Sequence, residues 1–151
     1  MAHPPRIPVQ LPWGTSVVYF VTLSEKERRS AWANSTFFDA FLTTANRLTE
    51  RGLWHIRAAV IMPDHLHLLA TPLKNRDQSV GNLSGALKRW INKKFDKPSW
   101  EWQGGSFDRL LRANEQAEQK WNYMRENPVR AGLVERWEDW PWSIGIREAM
   151  E

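Results

Sequence analysis

The sequence predicts an α+β domain: an antiparallel sheet with helices on one face, extended by one further helix toward the C-terminus. Three observations predict it. Short runs rich in β-branched and aromatic residues alternate with segments whose apolar residues recur every three or four positions. Pro63-Asp64, a turn-forming pair, joins two of the apolar runs as a hairpin. A polar-faced helical segment follows the last run.

The first strand is Ser16 to Leu23 (SVVYFVTL), a length and composition that suit a strand buried on both faces. Ser24 to Ala33 is a polar, basic loop. Asn34 or Ser35 then caps a helix that runs to about Arg51, with Phe37, Phe38, Phe41, Leu42, Ala45 and Leu48 at helical spacing and Gly52 as its stop. His55 to Met62 and His65 to Thr71 form the second and third strands. In Ser79 to Phe95, Val80, Leu83, Leu87, Ile91 and Phe95 make an apolar stripe, while Lys88, Arg89, Asn92, Lys93 and Lys94 fill the rest, which predicts a basic amphipathic second helix. A Trp/Gly-rich connector (Trp100, Trp102, Gly104, Gly105) leads to a fourth strand, Phe107 to Arg112. Asn114 caps a third helix from about Glu115 to Asn127, ahead of Pro128. The order β-α-β-β-α-β plus a helix is that of the ferredoxin-like split βαβ plan.

The chain of 151 residues is the size of one domain, with 42% hydrophobic and 25% charged residues, so composition excludes a disordered or fibrous protein. The expected organisation is an irregular Pro-rich arm over 1–14, a domain over 15–145 and a tail over 146–151. The absence of Cys excludes disulfides, thiolate metal sites and a cysteine nucleophile, so any metal is held by His, carboxylate, amide or water. No run approaches a membrane span or a signal peptide, and a reducing cytoplasm fits. A formal charge of +4 is compatible with a polyanionic partner.

His65 and His67 alternate with Leu66 and Leu68 along the third strand, so both imidazoles point to one face. Imidazole is the commonest ligand for a transition-metal ion, and two at this spacing make half a metal site; a hydrogen-bonded pair of surface histidines is the plain alternative. On the third helix Gln116, Lys120, Tyr123 and Asn127 share a polar face opposite Ala117, Trp121 and Met124. Tyr123, one of only two tyrosines, is the candidate nucleophile there; a phenol becomes competent beside a cation and a metal-polarised electrophile, and otherwise is a packing residue. Asn127, one turn on and about 40° round the same helix, is either a metal ligand or a helix cap, with Glu126 and Gln103 as substitutes.

Trp102, Arg109 and the basic second helix, through Lys88, Arg89 and Lys93, are candidate contacts to single-stranded nucleic acid, joined by Lys120 and Arg130. A core tryptophan and a solvated basic face explain the same residues equally well.

The string Met62-Pro63-Asp64-His65-Leu66-His67-Leu68-Leu69 resembles the His-hydrophobic-His signature of HUH nucleases. With Trp102-Gln103, Phe107-Asp108, Tyr123 and Glu126-Asn127-Pro128-Val129-Arg130-Ala131-Gly132-Leu133, the chain from about Thr15 to Ser143 resembles the single-tyrosine, REP-associated tyrosine transposases of bacteria. That resemblance implies a divalent cation, Mg²⁺ or Mn²⁺, held by His65, His67 and Asn127. It also implies Tyr123 as the catalytic nucleophile that leaves a 5′-phosphotyrosine and a free 3′ hydroxyl. The implied partner is single-stranded DNA with hairpins formed by repetitive extragenic palindromes, met by a cytoplasmic, nucleoid-associated monomer or homodimer. The sequence departs from the commonest pattern at Gly104-Gly105-Ser106 and Arg109, which bears on DNA preference more than on chemistry. Three other readings compete: a hairpin binder of the same fold that does not cut, a phosphoesterase using activated water, and a protein-binding module.

Overall fold

In a computed structural model the described residues are 17–73, 79–111 and 114–145. The expected arm and tail, Ser16, Arg112 and the Asn114 cap lie outside what is described.

Strand β1 (Val18–Ser24) is followed by helix α1 (Ser35–Glu50), the hairpin β2 (Trp54–Ile61) and β3 (His65–Pro72), helix α2 (Val80–Asn92) and β4 (Phe107–Leu111). The sheet order is β4-β1-β3-β2-β5, with the three pairings among β1 to β4 antiparallel, so the expected split βαβ plan is present. The added edge strand β5 (Ser143–Ile144) pairs with β2; two residues are too few for any period to announce them.

Asn34, rather than Ser35, caps α1: its Oδ1 accepts the Phe37 N–H at 2.9 Å. The chain leaves α1 through Gly52 at φ 67, a left-handed value that costs glycine little. Ser79 caps α2 by accepting the Asn82 N–H. The α-helix ends at Asn92 and not at Phe95, because Phe95 turns into an aromatic cluster, 5.2 Å from Trp100 and 6.3 Å from Phe37 between ring centres.

Alternation along the strands divides the core in two. Tyr19, Val21 and Leu23 of β1 and Leu66, Leu68 and Ala70 of β3 face α1 and α2. Val18 and Phe20 of β1, Ala58 and Val60 of β2 and Leu69 of β3 face the opposite side. Helix α3 (Asn114–Met124) covers part of that second side with Ala117, Trp121 and Met124, the apolar face expected for it.

Helix α3 does not continue to Asn127. It stops at Met124, turns at Arg125-Glu126 and restarts as α4 (Asn127–Arg130). Pro128 explains the break. It has no N–H to give the Met124 carbonyl and its ring would crowd that oxygen, whereas the first turn of a new helix has no such requirement. Tyr123 and Asn127 are therefore not one turn apart on a single helix, and the expected 40° relation does not apply.

Candidate active site

His65 and His67 stand on the α3 side of the central strand β3, the side to which Phe20 and Leu69 also point. Their ring centres are 4.8 Å apart. Each ring has a polar support, His67 from across the strands and His65 from the residue before it. Thr22 lies opposite His67, and its Oγ1 is 2.8 Å from Nδ1. His65 Nδ1 donates to Asp64 Oδ1 at 2.7 Å, and Asp64 Oδ2 accepts from Arg28 Nε at 2.9 Å. A carboxylate accepting from Nδ1 fixes the His65 tautomer with its Nε2 lone pair free, while the Thr22 hydroxyl, able to donate or accept, anchors the His67 ring without selecting its tautomer.

The electrostatics agree. Burial, followed by the charges of His65, Lys120, Arg130 and Arg28, lowers the His67 pKa to about 3, so this ring is a neutral base at physiological pH. Burial alone would raise Asp64, but its bonds to His65 and Arg28 outweigh that and hold it below its ordinary value.

The loop that carries Arg28 is organised by Glu25, which is 0% exposed and whose carbonyl accepts the Arg28 N–H at 3.1 Å. The Glu25 carboxylate accepts the N–H groups of Glu27, Arg29 and Glu101 and the Arg29 guanidinium, all within 2.9 Å. Burial pushes its pKa up, yet these four donors bring it down to about 2. Glu25 thereby ties the loop after β1 to the connector before β4.

Tyr123 is 60% exposed in the last turn of α3. Two cations attend its ring: the Arg130 guanidinium carbon at 4.0 Å from the centre and Lys120 Nζ at 5.5 Å. Lys120 also lies 4.2 Å from the Phe20 ring, which stacks on His67, so the cations connect the tyrosine to the histidine patch. Arg130 Nη2 donates to the Tyr123 carbonyl at 2.9 Å and to Asn127 Oδ1. Beside Tyr123 a groove of about 490 Å³ is lined by Arg109, Leu110, Leu111, Gln116, Gln119 and Lys120.

The donors fit a divalent ion at the imidazoles, since both rings present a base nitrogen from a rigid central strand. Among the described residues no three His, Cys, Asp or Glu side chains converge, Glu126 included. Asn127 is the nearer fit in chemistry, although its oxygen is engaged by Arg130. Gln103 is attached by its N–H to Ser24 O, and Ser24 is the cross-strand neighbour of His65.

The family model for IS200-like transposases matches residues 15–120, about two thirds of the chain, including the histidine strand. The chain belongs to the IS200-like transposase family. Its members are enzymes that act on DNA. A Haemophilus influenzae protein named as a REP-associated tyrosine transposase is 27% identical over 143 residues, 87% of this chain and 81% of that protein. Among solved structures, a REP-associated tyrosine transposase bound to a REP hairpin superposes with a TM-score of 0.76 at 22% identity, covering 95% of this chain and 82% of the other. A crystal structure from Deinococcus radiodurans, named as a transposase, gives 0.53 at 15% identity over 80% and 97% of the two chains. These two likenesses concern the fold.

In this IS200-like transposase the seven basic and aromatic residues singled out as DNA contacts separate into two groups. Arg109, Lys120 and Arg130 gather on the histidine side, Arg109 because it pairs with Phe20 across β1 and β4. The other four do not reach it. Arg89 and Lys93 are exposed on α2, across the sheet. Lys88 Nζ donates to the Gln103 and Gly105 carbonyls at 3.0 and 2.9 Å. Trp102 packs 4.8 Å from Trp32, with its N–H on Asn92 Oδ1. Sequence reasoning missed Thr22, Glu25, Arg28 and Asp64. Asp64 alone carried a signal, its place immediately before His65.

Proposed function

We propose that this chain nicks and rejoins single-stranded DNA at hairpin-forming palindromes, with Tyr123 as nucleophile and a divalent ion, Mg²⁺ or Mn²⁺, held by His65 and His67, with Asn127 as a third ligand. The observation that carries the reading is the meeting of an exposed tyrosine, flanked by Lys120 and Arg130, with two imidazoles on one face of the sheet, of which His67 is a neutral base. The REP-hairpin ligand of the superposing transposase and the REP association of the H. influenzae relative supply the DNA class.

The Tyr123 oxygen attacks a backbone phosphorus and the P–O3′ bond breaks. The products are a 5′-phosphotyrosine and a 3′ oxygen that takes up a proton, while the phenol's proton passes to solvent. A bound ion would polarise the phosphoryl oxygen and steady the leaving oxygen. Lys120 holds the phosphate's negative charge near the ring, Arg130 sets the ring and the Asn127 amide relative to each other, and the groove with Arg109 receives the adjoining backbone. Attack by a later 3′ hydroxyl on the phosphotyrosine reverses the exchange and joins strands.

The test incubates labelled single-stranded DNA bearing a palindromic hairpin with the protein in Mg²⁺, Mn²⁺ or EDTA, beside Tyr123→Phe and His65→Ala. A denaturant-resistant adduct that needs metal and is lost in both variants supports the reading. An adduct from Tyr123→Phe, or hydrolysis without adduct, sinks it. One observation favours a second reading, a hairpin binder that does not cut: Arg130 engages the Asn127 oxygen. That reading predicts tight binding with no adduct.

A further inference from the structure

At the other end of β4 the histidine face carries a second cleft that the nicking chemistry leaves unused. It measures about 150 Å³ and is lined by Thr22, Ser24, Phe107 and the loop 103–106. Its walls offer hydroxyls, an amide, backbone and one aromatic ring, with no Lys, Arg, Asp or Glu among them. The groove beside Tyr123 has the opposite character, with Arg109 and Lys120. A phosphate belongs with the cations. An uncharged planar group with a hydrogen-bonding edge belongs in the neutral cleft, whose volume is below the roughly 300–1,000 Å³ of drug-sized sites and suits a single ring system.

Position strengthens the argument. Thr22 and Ser24 are the cross-strand neighbours of His67 and His65, so the cleft adjoins the imidazoles. Phe107 pairs with Thr22 on β4 and is 45% exposed. Its ring is held edge-on by Phe20 at 6.4 Å, and Phe20 stacks on His67 at 5.3 Å. The loop is formed in advance: Lys88 Nζ holds two of its carbonyls, and the Gln103 N–H donates to Ser24 O at 2.8 Å. Gly105 turns at φ 75, and a Cβ on Gly104 or Gly105 would meet no atom within 4 Å, which leaves the mouth of the cleft open.

We propose that this cleft binds one unpaired nucleobase of the DNA strand beside the phosphodiester that Tyr123 attacks. Phe107 is the stacking surface, Gln103 and Ser106 read the edge of the base, and Lys88 is a positioning residue that holds the loop from behind. The proposal rests on the nicking reading for where the strand runs. It makes the 103–107 segment a determinant of which base flanks the cut.

The experiment measures equilibrium binding by fluorescence anisotropy in a Tyr123→Phe background, which separates binding from cleavage. The probes are a hairpin DNA with single-stranded flanks and a set in which each flank nucleotide in turn is abasic. Phe107→Ala and Phe107→Leu are added to the same background, the second keeping the apolar contact with Phe20. At one flank position, loss of the base weakens binding by about 5- to 150-fold when Phe107 is present. The same loss costs no more than about twofold in both Phe107 variants, the non-additivity of groups in contact. Gln103→Ala changes the preferred base at that position only. Additive effects at every position overturn the assignment. If the intact enzyme forms its adduct and this coupling is absent, the cleft proposal alone fails; if no DNA binds at all, both fail together.

Discussion

The Arg130 guanidinium lies against the face of the Tyr123 ring, its central carbon 4.0 Å from the ring centre, while one of its nitrogens donates to the Tyr123 carbonyl and to Asn127 Oδ1. One side chain thus spans the break between α3 and α4 and sets the tyrosine relative to the amide. A residue used this way governs geometry at the reacting atoms before it governs affinity for DNA.

For Arg130→Ala the expected result is a cleavage rate at saturating DNA lowered about 10- to 100-fold, the scale of misplacing a reacting group, with hairpin Kd nearly unchanged. Arg130→Lys keeps the charge but loses the planar fork and recovers little. A plain phosphate contact would show itself differently, as weaker binding and a salt dependence shallower by about one ion.

Asp64→Asn removes the carboxylate that accepts the His65 Nδ1 proton at 2.7 Å. An amide can present either donor or acceptor there, so the tautomer is no longer fixed. Mn²⁺ affinity, read by titration calorimetry without DNA, is expected to drop about 10- to 100-fold. Unchanged affinity would detach Asp64 from the metal site.

The His67 pKa of about 3 in the fold, against an ordinary value of 6.5, ties stability to pH. Because the folded pKa is the lower one, the contribution is complete above about pH 6.5 and is lost as pH falls from there toward 3. The slope is at most about 1.4 kcal/mol per pH unit. Denaturant melts in EDTA between pH 5 and 7 should show this slope in the wild type and a flatter profile in His67→Gln. Equal slopes would refute it.

Trp121 is buried between α3 and the sheet, 5.9 Å from Trp137. Its replacement by Ala should cost about 3–5 kcal/mol and free α3, abolishing the adduct. Mn²⁺ binding by the histidines, which sit on β3, should survive, weakened by the displacement of Asn127; its complete loss would mean that α3 also organises the imidazoles.

The elements that sequence made legible are those with a long period or a strong punctuating residue. Asn34, Gly52 and Ser79 delimit α1 and α2 close to where capping chemistry expects, and the i, i+2 spacing of His65 and His67 does put both on one face. What escaped detection depends on register or on a single competing residue. Thr22 supports His67 only because β1 and β3 align those two positions, and Glu25 becomes a hub only when the distant Glu101 N–H joins the Glu27 and Arg29 N–H groups of its own loop around it. In sequence Pro128 marks a limit just beyond the helix, but its missing donor acts four residues earlier and separates Asn127 from Tyr123. The tryptophans of the connector carry no periodic signature to tell core from surface; contact with Trp32 and Phe37 decides for the core.

Among the described residues strand β4 is an edge of the sheet, bonded to β1 on one side and to no strand on the other. An open edge is a template for adhesion between copies, and proteins that keep one blunt it with brevity and charge. This edge is five residues long and carries Asp108 and Arg109 at its middle. A further strand is thereby discouraged from pairing along it, while Arg109 offers an anion a cation at the same edge.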